Sequence, residues 1–374
     1  MTKQVLIVGG RGRIGSSVAA DLLTYTDAEV TITGRTADTG HVSDKLGERV
    51  RFLELDLSDA ERLRSAVADK DLVIHCAGPF RYRDAITLKT CISEGVNYLD
   101  VSDDRSFTKN ALSLCEAAQQ AGTTAVINSG VFPGISNSMV RQGIEQLDEP
   151  EVIHLSYVVS GSGGAGVTVM RTTFLGLQNP FQVWVDGRWQ EIKPYTGREM
   201  TEFPGYGRSG VYWFDMPEAF TLCKAFPVKT VITKFGSVPD YYNRLTWMAA
   251  HLFPRQLMRQ PWMIEFLSKT SYTMTSVTDR WSGIGVAMRA EVRGKRNGQP
   301  TQYVSTFAHE NTAYASGCGT GSIAQVLLSG ALQKPGVWTV EEALPTHLFE
   351  QGMTERKLTI EQQFELPVAV KQTL

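Results

Sequence analysis

Glycines at positions 10, 12 and 15, placed directly after the apolar run at 5–8, are the residues whose spacing points most sharply to chemistry. Between a strand and a helix, G-x-G-x-x-G lets the backbone turn tightly, lets a pyrophosphate approach the main chain, and lets the helix pack close to the strand. An anion then rests on free N–H groups at the start of the helix, near Arg13 and Ile14. Gly10, Arg11, Gly12, Arg13, Ile14 and Gly15 are therefore the expected phosphate turn of a dinucleotide site. The dinucleotide is chosen about 20 residues later, where an acid suits a ribose 2′-hydroxyl and a planar cation suits a 2′-phosphate. Arg35 and Thr36 stand there, and Asp38 comes late for a ribose ligand, so NADP(H) is expected.

The elements that must hold this turn follow the rhythm of a doubly wound sheet. Strands are expected at 5–8, 29–33, 50–55, 71–76, 97–101 and 124–128, with helices at 14–23, 60–68, 84–94 and 106–121. Ligands gather beyond the carboxyl ends of such strands. Asp56 follows the third strand, where it either accepts an adenine amino group or caps the next helix. Ala77, Gly78, Pro79 and Phe80 follow the fourth, a turn against which ribose and nicotinamide can lie. Asp100, Ser102 and Asp103 follow the fifth, and Gly130-Val131-Phe132-Pro133-Gly134 the sixth.

The rhythm changes from residue 151. Strands are expected at 152–160, 167–174, 181–185 and 188–192, the last two joined at Asp186-Gly187, and a second hairpin across 294–300 joins 285–293 to 302–307. The glycine-rich stretch 160–166 reads either as a lid or as an ordinary hairpin tip. Trp184, Trp189, Tyr212, Trp213, Trp247 and Trp262 make the middle of the chain unusually aromatic, as a pocket for a bulky apolar substrate or as core. Residues 244–267, apolar with interspersed Arg, suit a subunit interface or peripheral contact with a membrane.

Composition limits the alternatives. A chain of 374 residues suits two domains, and a net charge of −2 gives no electrostatic reason to expect nucleic acid. No transmembrane segment or secretory signal is read, so a cytoplasmic protein is expected. The 5 cysteines are scattered without C-x-x-C, and the 6 histidines lack metal-ligand spacing, so no metal is expected. His75, inside a strand, reads as a hydrogen-bonded core residue.

The glycine turn, Ala77-Gly78-Pro79-Phe80, Tyr98-Leu99-Asp100-Val101-Ser102, the loop 130–134 and the late Pro335-Gly336-Val337-Trp338-Thr339-Val340-Glu341-Glu342 together resemble the saccharopine dehydrogenase-like oxidoreductases over nearly the whole chain. The resemblance implies an α/β fold: an N-terminal Rossmann domain with a doubly wound parallel sheet (1–135), and a mixed α/β domain with a largely antiparallel sheet for substrate and dimerisation (136–310). C-terminal helices (311–374) would pack back toward the Rossmann domain.

It also implies hydride transfer from NADP(H) to a small-molecule substrate, here an imine or activated C=C of an apolar or bulky molecule, in a homodimer. The alternatives are an amine-forming dehydrogenase of saccharopine or polyamine type and a non-catalytic NADP(H)-binding redox sensor. A polycarboxylate substrate calls for convergent cations, and Arg171, Arg198 and Arg208 are spread along the chain. No tyrosine stands four residues before a lysine, so the short-chain dehydrogenase mechanism is unsupported. Candidates for proton donation or substrate orientation are Asp100, Ser102, Asp103 and Tyr82, with Tyr98 behind them; an imine already protonated needs none.

Overall fold

A computed structural model describes residues 2–36, 46–161 and 166–365; Asp38 and positions 162–165 of the glycine-rich stretch lie outside them. The chain opens with β1 (Gln4–Val8), α1 (Arg13–Tyr25), β2 (Glu29–Gly34), β3 (Val50–Glu54), α2 (Ala60–Val67) and β4 (Leu72–His75). It continues with α3 (Ile86–Glu94), β5 (Asn97–Asp100), α4 (Arg105–Leu112), α5 (Cys115–Gln120) and β6 (Thr124–Ile127). Every residue of β4 and β6 is buried, as a parallel sheet covered on both faces requires. Side chains fix the helix starts: Asp59 accepts from the Arg62 N–H ahead of α2, and Asp104 from the Phe107 N–H ahead of α4. The single helix expected at 106–121 is broken into α4 and α5, and at the break the Ser113 hydroxyl donates to the Asn110 carbonyl.

The second half runs α6 (Ile135–Glu145), β7 (Glu149–Ser160), α7 (Val167–Gly176), β8 (Phe181–Val185), β9 (Arg188–Ile192), β10 (Glu199–Phe203) and β11 (Gly207–Trp213). Then come α8 (Glu218–Ala225), β12 (Thr230–Val238), α9 (Tyr241–Leu252), α10 (Arg255–Met258), α11 (Pro261–Ser282), β13 (Val286–Arg296) and β14 (Gln299–His309). The described residues close with α12 (Thr312–Leu328), β15 (Gly336–Thr339), α13 (Val340–Ala343), α14 (Thr346–Glu355) and β16 (Glu361–Glu365).

Two compact units result: Met1–Ile135 with Ala313–Leu358, and Ser136–Thr312 with Thr359–Leu374. The first holds a parallel sheet in the order β15-β6-β5-β4-β1-β2-β3. The second holds β10-β11-β12-β7-β13-β14-β16, antiparallel except for the parallel β12–β7 pair.

Four expectations are corrected. Residues 167–174 are helix, not strand: Val and Thr supply a strand-like pattern, but Phe174 and Leu175 are buried and Arg171 pairs with Glu265 of α11, so packing overrides local preference. The β13–β14 hairpin turns tightly at Asn297 (φ 51) and Gly298 (φ 74), while Gly294 lies inside β13 at a register shift against β7, where a side chain would overlap the Glu149 backbone. The late stretch expected to be helical adds β15 to the first sheet, with Val337 opposite Ala125 and Thr339 opposite Ile127. The tail then pairs β16 with β14 in the second sheet, where Phe364 packs on Tyr303 with ring centroids 5.6 Å apart.

The return to the first unit is anchored by Arg356, a fully buried side chain that grips Asp21 of α1 through Nη2 (2.6 Å) and Nε (2.8 Å). Its guanidinium also lies 4.3 Å from the centre of the Tyr25 ring.

Candidate active site

The first unit forms a cradle at the N-terminus of α1. Gly12 is the N-cap residue, no side chain caps the helix, and its first turn contains no acid, an arrangement suited to an anion. Each glycine has a separate reason. Gly9 has φ 76, and a Cβ there would meet Ala77 Cα at 2.9 Å; at Gly10 it would meet Ile32 Cβ at 2.6 Å; at Gly15 it would meet the Gly9 carbonyl oxygen at 2.5 Å. The left-handed residue is thus Gly9 and not Gly10, whose role is to let β2 come close. The Gly9-Gly10 pair was the available sequence signal.

Beyond β2 and β3 lies a cationic rim. Arg11 donates to the Thr36 carbonyl (2.9 Å) and to Thr36 Oγ1 (2.9 Å). Arg83, half-buried, donates from Nε to the Ala77 carbonyl at 2.8 Å. Burial lowers the Arg83 pKa first, and repulsion from Arg35 lowers it further. Asp56 is exposed and holds the turn, accepting from the Ser58 N–H at 3.0 Å; that bond leads the causes that lower its pKa, with Arg35 and Arg83 contributing less. Helix capping falls to Asp59. Arg35 and Arg83 repel each other, and a dianionic 2′-phosphate would relieve that repulsion. Only topology brings Arg83 to this rim, and sequence reading missed it.

At the ends of β4 and β5 the expected wall and proton donors divide. Ala77 abuts Gly9, but Phe80 turns into the core, 3% exposed, with its ring 5.1 Å from His75 and 4.9 Å from Phe107. Its side chain therefore belongs to the aromatic cluster of the core. His75 is buried, its Nδ1 lies 3.1 Å from the Tyr98 hydroxyl, and burial lowers its pKa to about 3, which keeps it neutral.

Asp100 and Ser102 are both 0% exposed. Asp100 Oδ1 accepts the N–H groups of Ser102 (3.0 Å) and Asn128 (3.0 Å). Asn128, at φ 65, donates from Nδ2 to Ser102 Oγ (2.9 Å) and Thr108 Oγ1 (2.9 Å). Burial raises the Asp100 pKa, opposed by those N–H donors. These groups tie the ends of β5 and β6 together. Asp103 is half-buried and Tyr82 is 60% exposed. Asn128, the hub of this network, carried no sequence signal beyond its place after a strand.

The second unit has a partly open cavity of about 40 Å³ between β7, β12, α7, α9 and α11. Met170, Phe174 and Phe235 give it apolar walls, and Thr173, Ser271 and Thr275 add hydroxyls. Among its described lining residues there is no Arg, Lys, Asp, Glu or His. The Tyr242 hydroxyl bonds Thr278 Oγ1 at 2.8 Å, and burial pushes its pKa up to about 12. Arg171 and Arg198 are held elsewhere, in ion pairs with Glu265 (2.7 Å) and Asp240 (3.0 Å), while Arg208 is exposed on β11. Among the described residues, no group of His, Cys, Asp and Glu could hold a metal ion, and no helix is long and apolar enough to cross a membrane.

Residues 5–126 match the family described as the saccharopine dehydrogenase NADP binding domain. Residues 5–126 thus carry an NADP-binding domain of the saccharopine dehydrogenase type. This oxidoreductase is 25% identical over 380 positions to a carboxyaminopropylagmatine dehydrogenase of Synechocystis, covering 91% of this chain and 93% of that one. Over 82 residues it is 29% identical to a probable mitochondrial saccharopine dehydrogenase-like oxidoreductase of Arabidopsis thaliana, covering 22% of this chain and 18% of the other. Apo saccharopine dehydrogenase (L-Glu forming) from Saccharomyces cerevisiae shares the fold with a TM-score of 0.71 at 14% identity, covering 96% of this chain and 100% of that one. An engineered D-amino acid dehydrogenase bound to NADP+ gives a TM-score of 0.50 at 14% identity, covering 95% and 99%. The oxidoreductase binds NADP, and the glycine cradle and cationic rim fit that cofactor's pyrophosphate and 2′-phosphate.

Proposed function

We propose that this oxidoreductase is an NADPH-dependent reductase acting on a bulky, largely apolar molecule that carries an imine or an activated carbon–carbon double bond. The observation behind the reading is the cavity between β7, β12, α7, α9 and α11 of the second unit, whose described lining is apolar side chains and neutral hydroxyls. A charged substrate buried there would lack counter-charges, at a cost of several kcal/mol per ion.

Bound NADPH supplies hydride from the nicotinamide C4 to the electrophilic carbon. The backbone at Gly9–Gly15 holds the pyrophosphate, and Arg35, Arg83 and the Arg11-held Thr36 hold the 2′-phosphate. Asp100 and Asn128 keep the strand ends in place and act as positioning residues. The accompanying proton reaches nitrogen or carbon from solvent or from Asp103 or Tyr82, the two of the four candidates that are not fully buried. An iminium substrate arrives with its proton already in place.

A second reading, an amine-forming dehydrogenase of polyamine type, is supported by the likeness to the Synechocystis enzyme across most of both chains. Incubation with C4-deuterated NADPH separates the two. We expect deuterium in an apolar product from a cell extract, detected by mass spectrometry. Deuterium found only in a secondary amine built from a charged amine would replace this reading with the second. No transfer to any acceptor at saturating NADPH would contradict both and favour a non-catalytic NADP(H) sensor.

A further inference from the structure

Helices α9 and α11 present apolar residues on two sides. Their inner faces wall the cavity with Tyr242, Thr246, Ser271 and Thr275. On the outer face of α9, Tyr241 (44% exposed), Leu245 (44%), Met248 (46%) and Leu252 (60%) recur at i, i+4, i+7 and i+11. On α11, Trp262 (59%) and Phe266 (58%), and farther along Met274 (40%) and Val277 (60%), are exposed as two pairs separated by Lys269, Thr270 and Thr273. A helix of a globular protein normally turns a stripe like that of α9 inward. The two helices, with Trp247 and Phe253 beside them, leave ten large apolar side chains between 40% and 60% exposed, and clusters of such side chains mark interaction surfaces.

Charge identifies the partner. Residues 241–282 contain five cations (Arg244, Arg255, Arg259, Lys269, Arg280) and two acids (Glu265, Asp279), in a chain whose net charge is −2. All five cations are exposed, whereas the acids are half-buried and Glu265 is already paired with Arg171. In a symmetric contact with a second copy this surface, five cations against two acids, would face an identical surface of the same net positive charge. Anionic headgroups would instead complement them at about 1 kcal/mol per cation.

We propose that α9, α10 and α11 form a docking surface for an anionic lipid bilayer, with the exposed apolar side chains at the acyl boundary and the cations among the headgroups. The surface lies on the same two helices that wall the cavity. The inference does not depend on the reaction proposed above.

The test is flotation of the full-length protein with vesicles of phosphatidylcholine alone or mixed with phosphatidylglycerol. Roughly tenfold or greater enrichment on the anionic vesicles is expected, falling as salt is added. Leu252→Asp with Phe266→Asp, and separately Arg255→Glu with Arg259→Glu, should each remove roughly tenfold or more of the binding while NADPH affinity stays unchanged. Because these positions are exposed, the variants fold, and NADPH affinity verifies it. No capture by either vesicle, equal capture by both, or capture indifferent to the variants would overturn the proposal. So would a dimer in vesicle-free solution that Phe266→Asp dissociates, which would assign the surface to a second copy.

Discussion

The nucleotide cradle and the apolar cavity are built from different materials. The cradle is mostly backbone: Gly9, Gly10 and Gly15 are there because their missing side chains let Ala77, Ile32 and the Gly9 carbonyl come close. The cavity is mostly side chain, assembled from Val159, Thr173, Phe235 and Ser271 on four separate elements. Backbone N–H groups recognise what every dinucleotide shares, whereas side chains decide which acceptor enters. Substitutions in the first region should therefore act on cofactor binding, and substitutions in the second on substrate alone.

The largest effect is expected at Gly15. Gly15→Val puts a side chain into the Gly9 carbonyl, so NADPH affinity should fall more than a hundredfold and stability by about 1–3 kcal/mol, read by titration calorimetry and thermal unfolding. Unchanged NADPH binding would show that the cradle is not the cofactor site.

Asp100→Ala leaves the Ser102 and Asn128 N–H groups buried without their acceptor and should cost about 2–4 kcal/mol in urea unfolding. A large loss of turnover with stability intact would instead make Asp100 a catalytic residue. Arg35→Ala should weaken NADPH by about 1.5–3 kcal/mol, roughly ten- to a hundredfold, and NADH far less. Equal losses for both cofactors would remove the 2′-phosphate from the rim.

The smallest effect is expected at Glu265, whose hydrogen bond from Arg171 lowers its pKa to about 2. A folded-state value below the unfolded one means that this pair stabilises above the unfolded pKa and ceases to do so as pH falls from about 4.5 toward 2. Because Glu265 is 37% exposed, solvent screening limits the contribution to under about 1 kcal/mol. The stability difference between the wild type and Glu265→Gln should be present at neutral pH and shrink through that interval.

Legibility follows the same division. The parallel strands, the glycine turn and the Asp186-Gly187 hairpin were readable because each depends on neighbours a few residues away. Arg83, Asn128 and β15 were not, because their partners are distant in sequence: β15 is the seventh strand of a sheet begun more than three hundred residues earlier. The misread strand at 167–174 belongs with them, since its helical state rests on α11. The aromatic middle of the chain was visible as composition, but only the fold separates Tyr195 and Trp213, buried at 0% and 3%, from the exposed Trp262 and Phe266.

The most direct test of the division between the two units is deuteride transfer from C4-deuterated NADPH by the wild type and Ser271→Phe side by side, with NADPH affinity measured on both. Ser271 is half-buried at the cavity wall, so a phenyl ring there fills the space while the cradle is left intact. The account predicts unchanged NADPH affinity and a loss of labelled product. Undiminished labelling of the same product by Ser271→Phe would show that the acceptor binds elsewhere and would contradict it.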